Sequence, residues 1–144
     1  IIPTSCIDFL ETSPGNSLPR NEAITTVEDA ETAMNGIYNA LMTEAYYGCD
    51  FVVRAEVGGD DVQTLTSGKR TENFYRFSHR VNNSPEDLWY IPYRTINRIN
   101  SLLEAIDSGD VPASDKLNYI KGEVLTMRAL CHFNFLIPYG HPYL

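Results

Sequence analysis

The sequence has little positive charge: 11 Lys and Arg stand against 19 Asp and Glu in 144 residues, a formal net charge of −8. A surface that tracks nucleic-acid phosphates needs the opposite balance, so nucleic acid is excluded as a partner. Long hydrophobic runs are absent too. The apolar segments are interrupted by Asn, Arg or Glu every few positions, well short of the roughly 20 apolar residues of a membrane-spanning helix. Cysteine is scarce, and Cys6, Cys49 and Cys131 form neither a C-x-x-C nor the two close pairs of a zinc site. No structural metal and no cofactor are expected. Histidine is limited to His79, His132 and His141, in no triad or metal-ligand pattern. His132 follows Cys131, but helix neighbours point about 100° apart and do not make a nucleophile–base pair.

What is present is the composition of one ordinary globular domain, 43% hydrophobic and 21% charged. Six of its sixteen aromatics, Phe74, Tyr75, Phe77, Trp89, Tyr90 and Tyr93, crowd into one stretch. From Cys6 to Ile24 the chain is rich in Pro, Ser, Asn and Gly and reads as an extended tether (6–24). Thr25 and Thr26 then offer helix N-caps, with Glu28 and Asp29 in capping-box positions. Val27, Ala30, Met34, Ile37, Tyr38, Leu41 and Ala45 follow at intervals of three or four, predicting a first helix that ends near Tyr47-Gly48. Between Gly48 and Ser84 the period is lost. A loop excursion of this length inside a domain is more often functional than idle.

A second long helix is predicted to open at Ser84-Pro85-Glu86-Asp87, with an N-cap serine and proline in the first helical position. Its apolar stripe is Leu88, Trp89, Ile96, Ile99, Leu102, Leu103 and Ile106, and Ser108-Gly109 stops it. Asp107 sits poorly at a helix C-terminus. Ser114 caps a third, with Leu117, Ile120, Val124, Met127, Cys131 and Phe135 as its buried row and Pro138 and Gly140 as its stop. Helices joined by so short a connector must be antiparallel neighbours. The expected fold is all-α, a tetratricopeptide-like helical hairpin with a long loop excursion. Such repeats are normally stable only in stacks of about three or more. The lone pair, with its apolar segment 129–137, predicts chain beyond Leu144.

Four blocks of residues resemble one family. Cys6-Ile7-Asp8-Phe9-Leu10 with Pro14 looks like the mature start of a SusD/RagB-type outer-membrane lipoprotein. Glu28-Asp29-Ala30-Glu31 with Met34-Asn35-Gly36-Ile37-Tyr38-Asn39 resembles that family's first helix, and 89–100 (Trp89-Tyr90-Ile91-Pro92-Tyr93-Arg94-Thr95-Ile96-Asn97-Arg98-Ile99-Asn100) its second-helix signature. Gly122-Glu123-Val124-Leu125-Thr126-Met127-Arg128-Ala129-Leu130-Cys131-His132-Phe133, then Tyr139-Gly140-His141-Pro142-Tyr143, resembles its most recognisable segment. The resemblance implies an N-terminal portion of a longer protein. It also implies capture of oligosaccharide or another nutrient at the cell surface, binding without cleavage, and a TonB-dependent SusC-type transporter as partner. Cys6 would carry the lipid that anchors the protein to the outer membrane, residues 1–5 being signal-peptide remnant and 25–144 the incomplete helical domain.

For the ligand site, the excursion supplies Arg54, Phe74, Tyr75, Arg76 and His79, flat apolar faces beside donors that can reach hydroxyls. Trp89 and Tyr93 could stack on sugar, but Trp89, Tyr93 and Ile96 at i, i+4 and i+7 read first as a core stripe. Asp60 and Asp61, neighbours in a Gly-Gly turn, lack the separation that glycosidase carboxylates need and read as loop anchors. Arg128, in so apolar a helix, calls for a carboxylate or helix-end carbonyl, with Glu123, Glu104 or Asp61 as candidates. Asn97 and Asn100 are expected to bond neighbouring backbone. The competing functional reading is a helical-repeat protein-interaction scaffold with no carbohydrate site. An aromatic platform beside open polar groups would favour glycan, and a broad apolar patch would favour protein contact.

Overall fold

A computed structural model describes residues 23–59, 61–64, 71–78 and 86–140. Cys6, Asp60, His79, His141, nearly all of the tether and the Ser84-Pro85 cap therefore lie outside the described residues. The first helix, α1, runs Val27–Leu41. Thr26 Oγ1 accepts from the Asp29 N–H at 3.1 Å, and the Asp29 carboxylate accepts from the Thr26 N–H at 3.0 Å. This is the expected capping box. Hydrogen bonds from Thr26, and after it from Thr25, hold the Asp29 carboxyl below its ordinary 3.8.

The end of α1 departs from expectation. The helix stops at Leu41, with Met42 as C-cap, and does not reach Tyr47-Gly48. Gly48 folds back on the helix end, where its N–H donates to the Thr43 carbonyl at 3.0 Å. A Cβ there would lie 2.5 Å from the Met42 carbonyl oxygen. Ala45 thus keeps its helical spacing but reaches the core from a coiled turn, beside the buried Tyr46.

The excursion is not all loop. It contains α2, Asp50–Val57, and a single turn, α3, Glu72–Tyr75, which pack on each other. The periodic signal missed α2 because its inward-facing groups include an ion pair. Arg54 Nη2 donates to Asp50 Oδ2 at 2.9 Å, and both side chains are buried.

The second and third predicted helices are α4, Glu86–Asp107, and α5, Asp115–Tyr139. Gly109 turns the chain between them at φ 82°, a left-handed conformation that suits glycine. Ser114 caps α5 by accepting from the Leu117 N–H at 3.1 Å. Contacts fix the directions: Lys121 meets Asp107, Arg128 meets Asn100 and Phe135 meets Trp89, so α4 and α5 are antiparallel. Along α1 and the turn after it, Glu31 meets Lys116, Tyr38 meets Glu123 and Tyr46 meets Asn134, so α1 lies parallel to α5. Lys121 also supplies the cation that the ill-placed Asp107 lacked.

Among the described residues there is no strand, and the all-α expectation holds. Ile37, Ile99, Leu102, Val124, Cys131 and Phe135 fill the space between α1, α4 and α5. Complete burial of side chains of the Ile or Leu class contributes roughly 1.5–3 kcal/mol each. Pro92 sits fully buried inside α4 and has no N–H to give the Leu88 carbonyl. One turn on, Thr95 Oγ1 donates to the Ile91 carbonyl at 2.8 Å.

Candidate functional site

Where the start of α4 meets the end of α5, the rings of Trp89, Tyr93, Phe135 and Tyr139 form one cluster. Trp89 lies 4.9 Å from Tyr93, 5.4 Å from Phe135 and 5.1 Å from Tyr139, centroid to centroid, with Tyr139 nearly perpendicular to it. These edge contacts hold the indole in one orientation. Trp89 packs in this cluster as its stripe position predicts, and 46% of the residue stays exposed. Tyr90, the next residue, is 56% exposed. Its ring lies 5.2 Å beneath the Arg94 guanidinium, a cation–π contact.

The excursion reaches the same corner through Arg54. Its guanidinium lies 5.0 Å from the Phe74 ring centroid while bound to Asp50. Its charge also acts on Tyr139, partly offsetting the burial that pushes that phenol up. Arg54 thus meets Phe74 directly and acts on Tyr139, the neighbour of Trp89, through its charge. Of the residues singled out in the excursion, Arg54 is buried against the Phe74 ring. Tyr75 is exposed, and Arg76 is exposed but held by Glu72, Nε to Oε1 at 2.7 Å. His79 lies outside the described residues. Beside them Phe77 takes φ 50°, an uncommon conformation for a bulky residue.

Three polar features were missed or misassigned in the sequence. Among the described residues Arg128 pairs with no carboxylate; its Nη1 donates to the Asn100 amide oxygen at 3.2 Å. Glu123 lies five residues back, on another side of α5, and accepts instead from the Tyr38 hydroxyl at 3.0 Å. Asn100 accordingly serves a side chain and not backbone. The third feature is Asn134, buried in α5, whose amide donates to the hydroxyls of both Tyr46 and Tyr47 at 2.5 Å. Burial, the largest cause, pushes the Tyr46 phenol well above its usual value. The neighbouring Cys131 thiol is pushed up to about 11, also by burial. His132 Nδ1 is buried without a hydrogen-bond partner among the described residues, and Asp61 is exposed.

No helix among the described residues is long and apolar enough to cross a membrane. The corner sets fixed aromatic planes beside guanidinium groups. A SusD-like family described as starch-binding and associating with the outer membrane matches residues 8–144. A SusD-like protein of Formosa agariphila is 25% identical over 94% of this chain, which spans 28% of that protein's length. A SusD superfamily structure from Bacteroides thetaiotaomicron is 35% identical with a TM-score of 0.72, covering 82% of this chain and 27% of its own. A Bacteroides vulgatus structure described as a sugar-binding protein is 31% identical with a TM-score of 0.74, covering 84% of this chain and 28% of its own. With its helices in this arrangement and the family match extending over nearly every residue, the chain belongs to the SusD-like family.

Proposed function

We propose that the protein carrying this chain captures glycan at the outer membrane and hands it to a TonB-dependent SusC-type transporter, without cleaving it. One observation carries the binding step: Trp89 is locked by Phe135 and Tyr139 yet 46% exposed. A pyranose presents a C–H face that an aromatic plane covers favourably. An indole already fixed in orientation loses little freedom when it does so. Tyr90 adds a second exposed ring next to Trp89 in the sequence, and the excursion residues Phe74, which Arg54 positions, Tyr75, Arg76 and His79 are proposed as further ligand contacts. The similar Bacteroides vulgatus structure is described as sugar-binding, which agrees with this reading.

Transfer to a transporter and anchoring by a lipid on Cys6 rest on the family resemblance. Cys6→Ala is expected to move the protein from the membrane to the soluble fraction, and unchanged fractionation would sink the anchor. The binding step is tested by affinity electrophoresis of the full-length protein against a polysaccharide panel. At least one glycan should retard it, and Trp89→Ala should weaken that binding about tenfold, on the order of 1.4 kcal/mol.

A second reading, a scaffold for protein contacts, draws on one feature. Leu130, Phe133, Leu136 and Ile137 leave an exposed apolar stripe on α5. Failure of every glycan to bind, with a protein partner lost on substituting that stripe, would favour the scaffold.

A further inference from the structure

From residue 88 to residue 103 the sequence contains no Asp or Glu, although the chain carries 19 of them. Within this stretch the outer side of α4 presents two adjoining i,i+4 rows. One runs Trp89, Tyr93, Asn97; the other runs Tyr90, Arg94, Arg98 and on to Ser101. Ile91, Thr95, Ile96 and Ile99 are buried on the opposite side. The guanidinium of Arg94 is fixed over the Tyr90 ring at 5.2 Å, and its Nε is buried with no hydrogen-bond partner among the described residues. One turn further, Arg98 and Ser101 line an open hollow of about 330 Å³ with Ile24, Ala33 and Gly36 of the α1 side. That volume is within the range of small-molecule sites.

Two arginines four residues apart on one helix repel each other weakly. In a chain of net charge −8, carboxylates to neutralise them would be easy to supply nearby. None stands in the rows. A guanidinium held in a fixed plane matches a carboxylate or sulfate, which its two Nη groups can engage in parallel hydrogen bonds. Neutral hydroxyls need no such charge.

We infer that the outer side of α4 selects an anionic glycan: Trp89 and Tyr90 cover the sugar rings, and Arg94 and Arg98 take a uronate carboxylate or a sulfate ester. This rests on the glycan-capture reading and narrows its ligand. It is tested on the full-length protein by titration calorimetry with four polymers: polygalacturonate, carrageenan, neutral amylopectin and sugar-free polyphosphate. Polygalacturonate or carrageenan should bind about tenfold more tightly than amylopectin, and the one preferred distinguishes carboxylate from sulfate. Arg94→Gln and Arg98→Gln should each erase that preference, with Arg94→Lys restoring part of it. Arg98 is exposed, so its variant keeps the test open if the Arg94 variants fold poorly; thermal melts by circular dichroism check both. If amylopectin binds as tightly as the anionic polymers, or both Gln variants keep the preference, the inference fails while glycan capture stands. Polyphosphate binding equal to that of the anionic glycans would reduce the face to bulk electrostatics and also overturn it. If no polysaccharide binds, both readings fall.

Discussion

Cys131 shows how far one residue's surroundings can set its chemistry. It is fully buried in the core between α4 and α5, next to the Tyr46 hydroxyl that Asn134 engages. Burial penalises the thiolate and pushes the thiol from 9.0 to about 11, and the Tyr46 phenol is raised for the same reason. The thiolate is the reactive form, so Cys131 should resist iodoacetamide at pH 8 in the folded protein. Cys49, only partly buried, should be alkylated first. Peptide mass spectrometry after native labelling checks this, and prompt alkylation of Cys131 would contradict it. The same shift has a stability consequence. A group whose acid form is favoured in the folded state holds its proton between pH 9 and 11, while the unfolded chain releases it. Stability should therefore be complete below about pH 9 and fall as pH rises through 11. Urea denaturation at pH 8, 9.5 and 11 should show a falling midpoint, and Cys131→Ala should flatten part of that slope.

Among the elements, α1, α4 and α5 were legible in the sequence because their buried residues recur every three or four positions and because Thr26, Ser114 and Gly109 mark their ends. Two elements were not. In α2 the inward-facing pair Asp50 and Arg54 is charged, so a count of apolar residues passes over it. The single turn of α3 is too short to show a period. The candidate site divides along the same line. Arg54 and Phe74 were picked out for their chemistry and do meet. The exposure of Trp89 was hidden because a stripe at i, i+4 and i+7 shows which residues touch a core and not how much of each ring is left open. Polar pairing was the least legible layer: Arg128 has carboxylates within sequence reach, yet the helix registry presents Asn100 to it. Caps carry a measurable share of these element ends. Ser114→Ala removes the acceptor of the Leu117 N–H and should cost about 1 kcal/mol, read as a lower urea midpoint with an unchanged m-value. No change in midpoint would mean that the short 108–114 connector alone holds the start of α5.

On the scale of the whole molecule, α5 is apolar on two sides. Its inner row, Leu117 to Phe135, is covered by α1 and α4. The outer residues of its second half are open, with Phe133 59% and Ile137 66% exposed beside Leu130 and Leu136. Leu130, Phe133 and Ile137 are spaced at i, i+3 and i+7, so they share one stripe of the helix. Contiguous exposed apolar surface of this kind drives association unless something covers it. The chain spans about a quarter of the length of the relatives it matches. Net charge of −8 opposes self-association, but its effect is screened beyond roughly 10 Å at 0.1 M salt, whereas contact between apolar faces is not. The 144-residue chain expressed by itself should therefore self-associate increasingly as salt is raised, and should bind a hydrophobic dye such as ANS. Phe133→Glu with Ile137→Glu places two charges in the stripe without touching the inner row. That double variant should remain monomeric in sedimentation experiments and lose most of the dye signal while keeping its helical circular dichroism. Undiminished self-association in the variant would show that another surface drives it.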